Sequence, residues 1–290
     1  MFPDFLGIGA QKAGTTWLHE NLATQPGVWL PPIKEIHFLD HAPPSLVKRL
    51  WGRTSHHRIA RAQAYGSIGG LFRREPELSR ARRAFRIAFA HRNMDWYASI
   101  FPEERGVACG EICPGYARLD RETIAEIYRR NSQLKVIYLL RDPVDRAWSS
   151  LAMHFRKGNS QLIGDVSESE VLERLAQPKT FSHCQYAQNI ANWESVVPTA
   201  QIFYGFFEQI SESATAHLER ILRFLGIEYP VAATNADARV NAGRGEAIPP
   251  SIEIHLARLL LPEAVALHQR FHNAYTARWL AHAQSVAAKA

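Results

Sequence analysis

Cysteine is scarce in this 290-residue chain: Cys109, Cys113 and Cys184 are the full set. Three irregularly spaced thiols cannot build a disulfide framework and match no structural zinc spacing, so a reducing, cytoplasmic setting is expected. Long apolar runs are missing too; the longest fall far short of the ~20 residues that cross a bilayer, which excludes a membrane-spanning helix. Neither a repeat of fixed period nor a low-complexity linker divides the chain, so one domain over residues 1–290 is expected. The first core-like strand starts almost at the N-terminus, so no signal peptide is expected. Zinc-finger spacing, RNA-binding signatures and interleaved aromatic and basic residues are absent, which argues against nucleic acid as a partner.

What is present is a 46% hydrophobic composition, ample for a buried core, and a net charge of +6. The charge is concentrated. Residues 48–92 carry twelve Lys/Arg against two Glu, a local net of +10. Such a face suits an anionic partner or a polyanionic cosubstrate, although most of these arginines have a simpler fate on solvated helix faces. We expect this stretch, within about 45–105, to form a basic helical insertion broken at Gly66–Gly70.

The most informative stretch is Phe5 to Leu18. Apolar Phe5 to Ile8 predicts a buried strand, Gly9 to Gly14 a tight turn, and Thr15 onward a helix with a capping hydroxyl. Strand, turn and helix start together make an anion site, because backbone N–H groups and the positive end of the helix dipole point at one spot. The glycine spacing is close to a nucleotide-triphosphatase loop, but Thr15 and Thr16 follow Gly14 and the lysine, Lys12, lies inside the turn. There it would sit over a shorter two-group anhydride. Gln11-Lys12-Ala13-Gly14-Thr15-Thr16-Trp17-Leu18 resembles the 5′-phosphosulfate loop of sulfotransferases that use 3′-phosphoadenosine 5′-phosphosulfate (PAPS). The resemblance implies cofactor contacts from Lys12, Ala13, Gly14, Thr15, Thr16 and Trp17.

Further on, Trp29 to Asp40 places two prolines before Glu35, His37 and Asp40. If Glu35 to Phe38 is extended, Glu35 and His37 share one side and both can accept a proton, while Ile36 and Phe38 pack on the other. The segment is similar to the Glu-x-His-Phe-Phe-Asp signature of glycosaminoglycan-type sulfotransferases, with Leu39 replacing an aromatic. That likeness implies Glu35 as the base acting on the acceptor hydroxyl; His37 stays as its rival. Met94 to Tyr97 resembles the family's short Trp-Tyr helix. Residues 107–116 read as a strand and its exit. There Glu111, Pro114 and Tyr116 match a Glu-Lys-Ser/Thr-Pro-x-Tyr pattern, but Ile112 and Cys113 replace its lysine and hydroxyl.

Arg121 to Asn131 predicts an amphipathic helix and Lys135 to Leu140 a buried parallel strand. Arg141-Asp142-Pro143 follows, with Ser149 two helical turns on, and matches the family's 3′-phosphate motif. A competing reading makes Asp142 a magnesium-binding acid, but Arg141 beside it suits a phosphate better. Residues 201–205 predict a strand, Ser213 to Leu225 a helix, and Ile252 to Ala288 C-terminal helices. Arg239 and Arg244, in a glycine-bearing basic loop, correspond to the family's Lys/Arg-Gly loop over the nucleotide.

These readings imply an α/β fold, P-loop-like, with a mainly parallel sheet flanked by helices. The resemblance implies a cytoplasmic, PAPS-dependent sulfotransferase without a metal, with Glu35, Lys12 and His37 catalytic. Its acceptor would be a hydroxyl or amine, carbohydrate first, with lipid or carrier-bound hydroxyls as further candidates. An ATP-dependent kinase or phosphotransferase and a non-catalytic nucleotide-binding module are the alternatives.

Overall fold

A computed structural model of the chain describes residues 1–31, 34–40, 93–102, 108–159, 163–177, 181–228 and 247–289. Most of the expected basic insertion, and both Arg239 and Arg244, lie outside the described residues. Among the described residues five strands form one sheet: β1 (Phe5–Gly9), β2 (Val28–Trp29), β3 (Ala108–Ile112), β4 (Lys135–Leu140) and β5 (Ile202–Phe206). Their order is β2-β3-β1-β4-β5, and every neighbouring pair is parallel. The α/β, parallel-sheet expectation therefore holds. β1 is buried at all five positions and β4 at five of six, which is why both read as near-continuous apolar runs.

The chain runs from β1 to one side of the sheet and from β4 to the other. Parallel strands end at the same edge, so the crevice of a topological switch opens between the carboxyl ends of β1 and β4, where ligands sit in such sheets. Helices α1 (Thr15–Ala23), α2 (Met94–Ala98), α3 (Arg121–Arg130) and α4 (Pro143–Asn159) follow in the first part of the chain. The region around residues 159–170, which reads as a polar loop, also contains the start of α5 (Glu168–Leu175), with a capping box between Ser167 and Glu170. α6 (Tyr186–Glu194) precedes β5. α7 (Phe207–Leu225) starts earlier than the predicted Ser213; Ser213 itself is a non-helical kink (φ −162°, ψ 77°) between two helical pieces. No helix among the described residues is long and apolar enough to cross a membrane.

Of the C-terminal helices, α8 (Pro250–Phe271) packs over α4 and α5, and α9 (Ala274–Ala287) folds back along α8. Ile252, Leu256 and Leu260 of α8 join Val144 and Leu151 of α4 and Leu175 of α5 in a second apolar core. In that core Arg146, fully buried, directs Nε and Nη2 at Cys184 Sγ (3.1 and 2.6 Å). One polar staple closes the arrangement: His282 of α9 reaches Asp142 Oδ2 (3.4 Å) and Glu253 Oε1 (3.2 Å). The hydrogen bond to Asp142, helped by Glu253 and opposed by burial, raises the His282 pKa to about 9.

A raised imidazole pKa means that the folded chain holds a proton the unfolded chain releases. The staple's stabilisation is therefore complete below the ordinary value of 6.5 and is lost as pH climbs to about 9. His282→Ala should remove that slope in urea unfolding, costing more at pH near 6 than at pH above 9. Equal cost at both would show that the imidazole charge plays no part.

Candidate active site

At the end of β1 the backbone turns sharply. Lys12 (φ 71°) and Gly14 (φ 89°) are left-handed, and the Ala10 N–H donates to Leu139 O on neighbouring β4 (2.6 Å). Gly14 itself is the N-cap of α1 and no side chain caps the helix, which corrects the expected hydroxyl cap. A glycine is needed here twice over: the left-handed backbone disfavours a Cβ, and a Cβ would collide with Ile210 of α7. Ala13, Thr15 and Trp17 are buried, and Trp17 stacks on His217 with centroids 5.7 Å apart. Its indole belongs to the core, so any ligand contact from Trp17 would come from backbone. Lys12, Gly14 and Thr16 keep partial exposure.

Arg141 leaves β4 directly opposite this turn. Its Nη1 donates to Lys12 O (3.1 Å), its guanidinium lies over the Phe207 ring (4.6 Å to the centroid), and Asp145 stands 3.7 Å from Nη2. Ser149 is half-buried on α4; the adjacent Ser150 Oγ is 3.5 Å from Gln11 Oε1, which fixes α4 alongside the loop. The Arg-Asp-Pro corner and the loop thus form one cationic rim. Asp142 is committed elsewhere. Its Oδ1 accepts from Val144 N (2.8 Å) at the start of α4 and its Oδ2 faces His282, an arrangement that suits a helix cap better than a magnesium ligand.

The Glu35 segment crosses the same edge of the sheet. It is not extended: Glu35 (φ 61°) and His37 (φ 53°) both adopt left-handed backbone. The two side chains still meet, with Glu35 Oε2 3.5 Å from His37 Nε2, while Ile36 is buried between them. Lys34 ties the segment to the loop. Its Nζ donates to Thr16 Oγ1 (2.7 Å) and lies 3.6 Å from Glu35 Oε1.

What imposes this conformation is Glu111, fully buried at the end of β3. Its Oε1 accepts from Ile36 N (2.7 Å), and its Oε2 accepts from the hydroxyls of Tyr97 (2.6 Å) and Tyr116 (3.1 Å). Tyr116 Oη in turn accepts from Phe38 N (3.1 Å). On the other side of the segment His37 Nδ1 pairs with Asp40 Oδ2 (2.8 Å) and lies 3.5 Å from Cys113 Sγ. Gly115 leaves room for this pair, since a Cβ there would run into Asp40.

The electrostatics separate the two candidate bases. The bond to Asp40, then Cys113 and Glu35, push His37 up to about 12, so it is an imidazolium near neutral pH. Burial raises the Glu35 carboxyl, but the His37 hydrogen bond and the charges of Lys34 and His37 outweigh it and hold Glu35 below its ordinary value. Burial pushes Glu111 up to about 7 against its three donors, and pushes the Cys113 thiol up to about 12.

The structure therefore brings Lys12, Gly14, Thr16, Glu35, His37 and Arg141 to one edge of the sheet. Lys34 and the Tyr97–Glu111–Tyr116 network were not predicted from the sequence. Lys34 had a readable signal, a cation next to a proposed base, whereas the network depends on residues 75 positions from the backbone they hold.

A family model described as "Sulfotransferase family" matches residues 3–231. Human bifunctional heparan sulfate N-deacetylase/N-sulfotransferase 2 is 22% identical over 238 residues, covering 78% of this chain and 22% of that protein. Mouse heparan sulfate glucosamine 3-O-sulfotransferase 3B1 is 26% identical over 153 residues, covering 48% of this chain and 36% of its own length. The chain spans well under half the length of these relatives. Among solved structures, a sulfotransferase from Alicyclobacillus acidocaldarius superposes with a TM-score of 0.62 at 21% identity, covering 96% of this chain and 99% of that one. The sulfotransferase domain from the curacin biosynthetic pathway gives 0.53 at 16% identity, covering 79% and 76%. At these identities the structural likeness establishes the fold.

A raised carboxyl pKa gives Glu111 a definite pH signature. Between its ordinary 4.5 and about 7 the folded chain holds a proton that the unfolded chain has lost, so stability falls as pH rises through that window. Glu111→Gln should flatten this part of the pH profile. It also replaces one acceptor by a donor facing other donors, a mismatch of about 1–3 kcal/mol. Urea unfolding of both proteins from acid to neutral pH measures the two effects; parallel profiles would place the titrating group elsewhere.

Proposed function

The chain belongs to the sulfotransferase family, and on that premise we propose that it moves a sulfuryl group from PAPS to a hydroxyl or amine of a carbohydrate acceptor. The observation that carries this reading is the unbroken series of contacts from loop to base. Thr16, Lys34, Glu35 and His37 follow one another at 2.7, 3.6 and 3.5 Å. A proton acceptor is thereby held beside the anion-binding helix start.

In this mechanism Glu35 takes the acceptor proton as the acceptor atom bonds to sulfur. The bond from sulfur to the 5′-phosphate oxygen breaks, and negative charge collects on that oxygen. Lys12 and the backbone amides around Gly14 meet this charge, a preorganised contribution of about 3 kcal/mol per donor. Lys34 adds a cation between the two reacting ends. His37, already protonated, orients the acceptor and keeps Glu35 ionised. It also supplies positive charge next to Cys113, the position where related motifs carry a hydroxyl. Arg141 and Ser149 take the 3′-phosphate, with the Phe207 ring supporting the guanidinium from below. The heparan sulfate in the relatives' names supports a carbohydrate acceptor. Candidate sugar, lipid and carrier-bound acceptors tested with labelled PAPS would identify it.

Two measurements test the assignment. Arg141→Ala should weaken adenosine 3′,5′-bisphosphate by roughly tenfold to a hundredfold while barely affecting adenosine 5′-phosphosulfate, because a charge-assisted contact is worth ~1.5–3 kcal/mol. Equal weakening of both ligands would reject the 3′-phosphate role, and stronger thermal stabilisation of the native chain by ATP with magnesium than by the bisphosphate would reject the donor.

Glu35→Gln should lower turnover by about 10²–10⁴-fold with donor affinity unchanged. Because Glu35 is held below its ordinary 4.5, the native acid limb should lie below that pH, and His37→Gln should move it upward by removing the imidazolium. A limb that stays in place in His37→Gln would sever the proposed link between the two residues.

A further inference from the structure

The piece of α7 ahead of the Ser213 kink touches both halves of the cationic rim. Residues 207–212 carry Phe207, whose ring lies under the Arg141 guanidinium (4.6 Å from its centroid), and Ile210; both side chains flank Gly14 of the first loop. This short helical piece is therefore a wall shared by the loop and the Arg141 corner.

The wall is gripped by α9. Trp279, buried, donates its Nε1 proton to Glu208 Oε1 (2.6 Å), a charge-assisted bond to the residue next to Phe207. Phe206, on the other side of Phe207, stacks on Tyr275 (centroids 5.2 Å apart) and packs against Trp279 (5.7 Å). One turn beyond Glu208, Glu212 accepts from Tyr275 Oη (2.6 Å) and Arg278 Nη2 (3.2 Å), more exposed contacts that add less. Three residues beyond Trp279, and so on the same face of α9, His282 meets Asp142 Oδ2 (3.4 Å). Asp142 is the residue next to Arg141.

α9 thus holds a neighbour of each member of the Arg141–Phe207 pair. The guanidinium itself has few restraints among the described residues: Nη1 donates to Lys12 O (3.1 Å), Asp145 stands 3.7 Å from Nη2, and the buried Nε has no hydrogen-bond partner. Its placement depends on how far apart the Arg141 corner and the Phe207 wall stand. We propose that Trp279 and His282 are positioning residues for the 3′-phosphate, setting through Glu208 and Asp142 the spacing at which Arg141 and Phe207 meet that group. The proposal rests on the 3′-phosphate role given to Arg141 in the reaction above.

The test uses the full chain carrying Trp279→Phe, which keeps a ring but loses the N–H, together with His282→Gln. The two substitutions should weaken adenosine 3′,5′-bisphosphate by about threefold to thirtyfold and leave adenosine 5′-phosphosulfate unchanged. On an Arg141→Ala background they should add no further loss, because the group they position is gone. A loss shared by both ligands, or one that persists without Arg141, overturns the proposal. Urea unfolding without ligand gives a second reading: the cost of the two α9 substitutions and that of Arg141→Ala should combine to less than their sum, and strict additivity would also overturn it. If Arg141→Ala alone leaves bisphosphate binding intact, the 3′-phosphate assignment falls, while the unfolding cycle still decides whether α9 holds Arg141. Circular dichroism verifies folding; if Trp279→Phe does not fold, Glu208→Ala cuts the same bond from its other end.

Discussion

Burial of Glu111 is the constraint on which the site depends. A carboxylate taken out of water costs several kcal/mol unless donors meet its oxygens. Here those donors are two tyrosine hydroxyls and one backbone N–H, that of Ile36. The backbone bond is the consequential one, because it draws the chain down between Glu35 and His37 and leaves both residues in left-handed conformations. Such backbone costs of order 1 kcal/mol or more per residue and persists only where the surroundings over-determine it. Glu111 below, the Phe38 amide on Tyr116, and Asp40 against His37 are those surroundings.

The same arrangement sets the charges above it. Asp40 fixes His37 as an imidazolium; His37 and Lys34 then lower Glu35. Lys34 extends the series to Thr16 on the first turn of α1. A carboxylate at the end of β3 is thus connected, through a few hydrogen bonds and ion pairs, to the helix start that the loop after β1 creates. The sheet makes this economical, since parallel strands deliver β1, β3 and β4 to the same edge.

Much of this was legible in the sequence where the signal is local. β1 and β4 are apolar because both of their faces are covered, and the turn with Gly9, Lys12 and Gly14 announces a tight strand-to-helix connection in a single stretch. The Arg141 corner was readable for the same reason. Two-residue β2 was too short to show any alternation. The first turns of α7 were missed because the aromatic Phe206-Phe207 pair continues the pattern of β5 and Ser213 looks like a helix cap. Glu35 and His37 were correctly paired, but for an incorrect reason: alternation along a strand would also bring them together, and nothing within the segment reveals that Glu111 reshapes it. Cys113 was readable only as a departure from a motif; its neighbours His37 and Asp40 lie more than seventy positions away.

The His282 staple bears on where the working unit ends. The family model's match ends at residue 231, yet α9 lies beyond it and its imidazole rests on the aspartate that follows Arg141 and caps α4. The terminal helices act as a buttress for the Arg141 corner, so a boundary drawn at the end of that match would cut through its support.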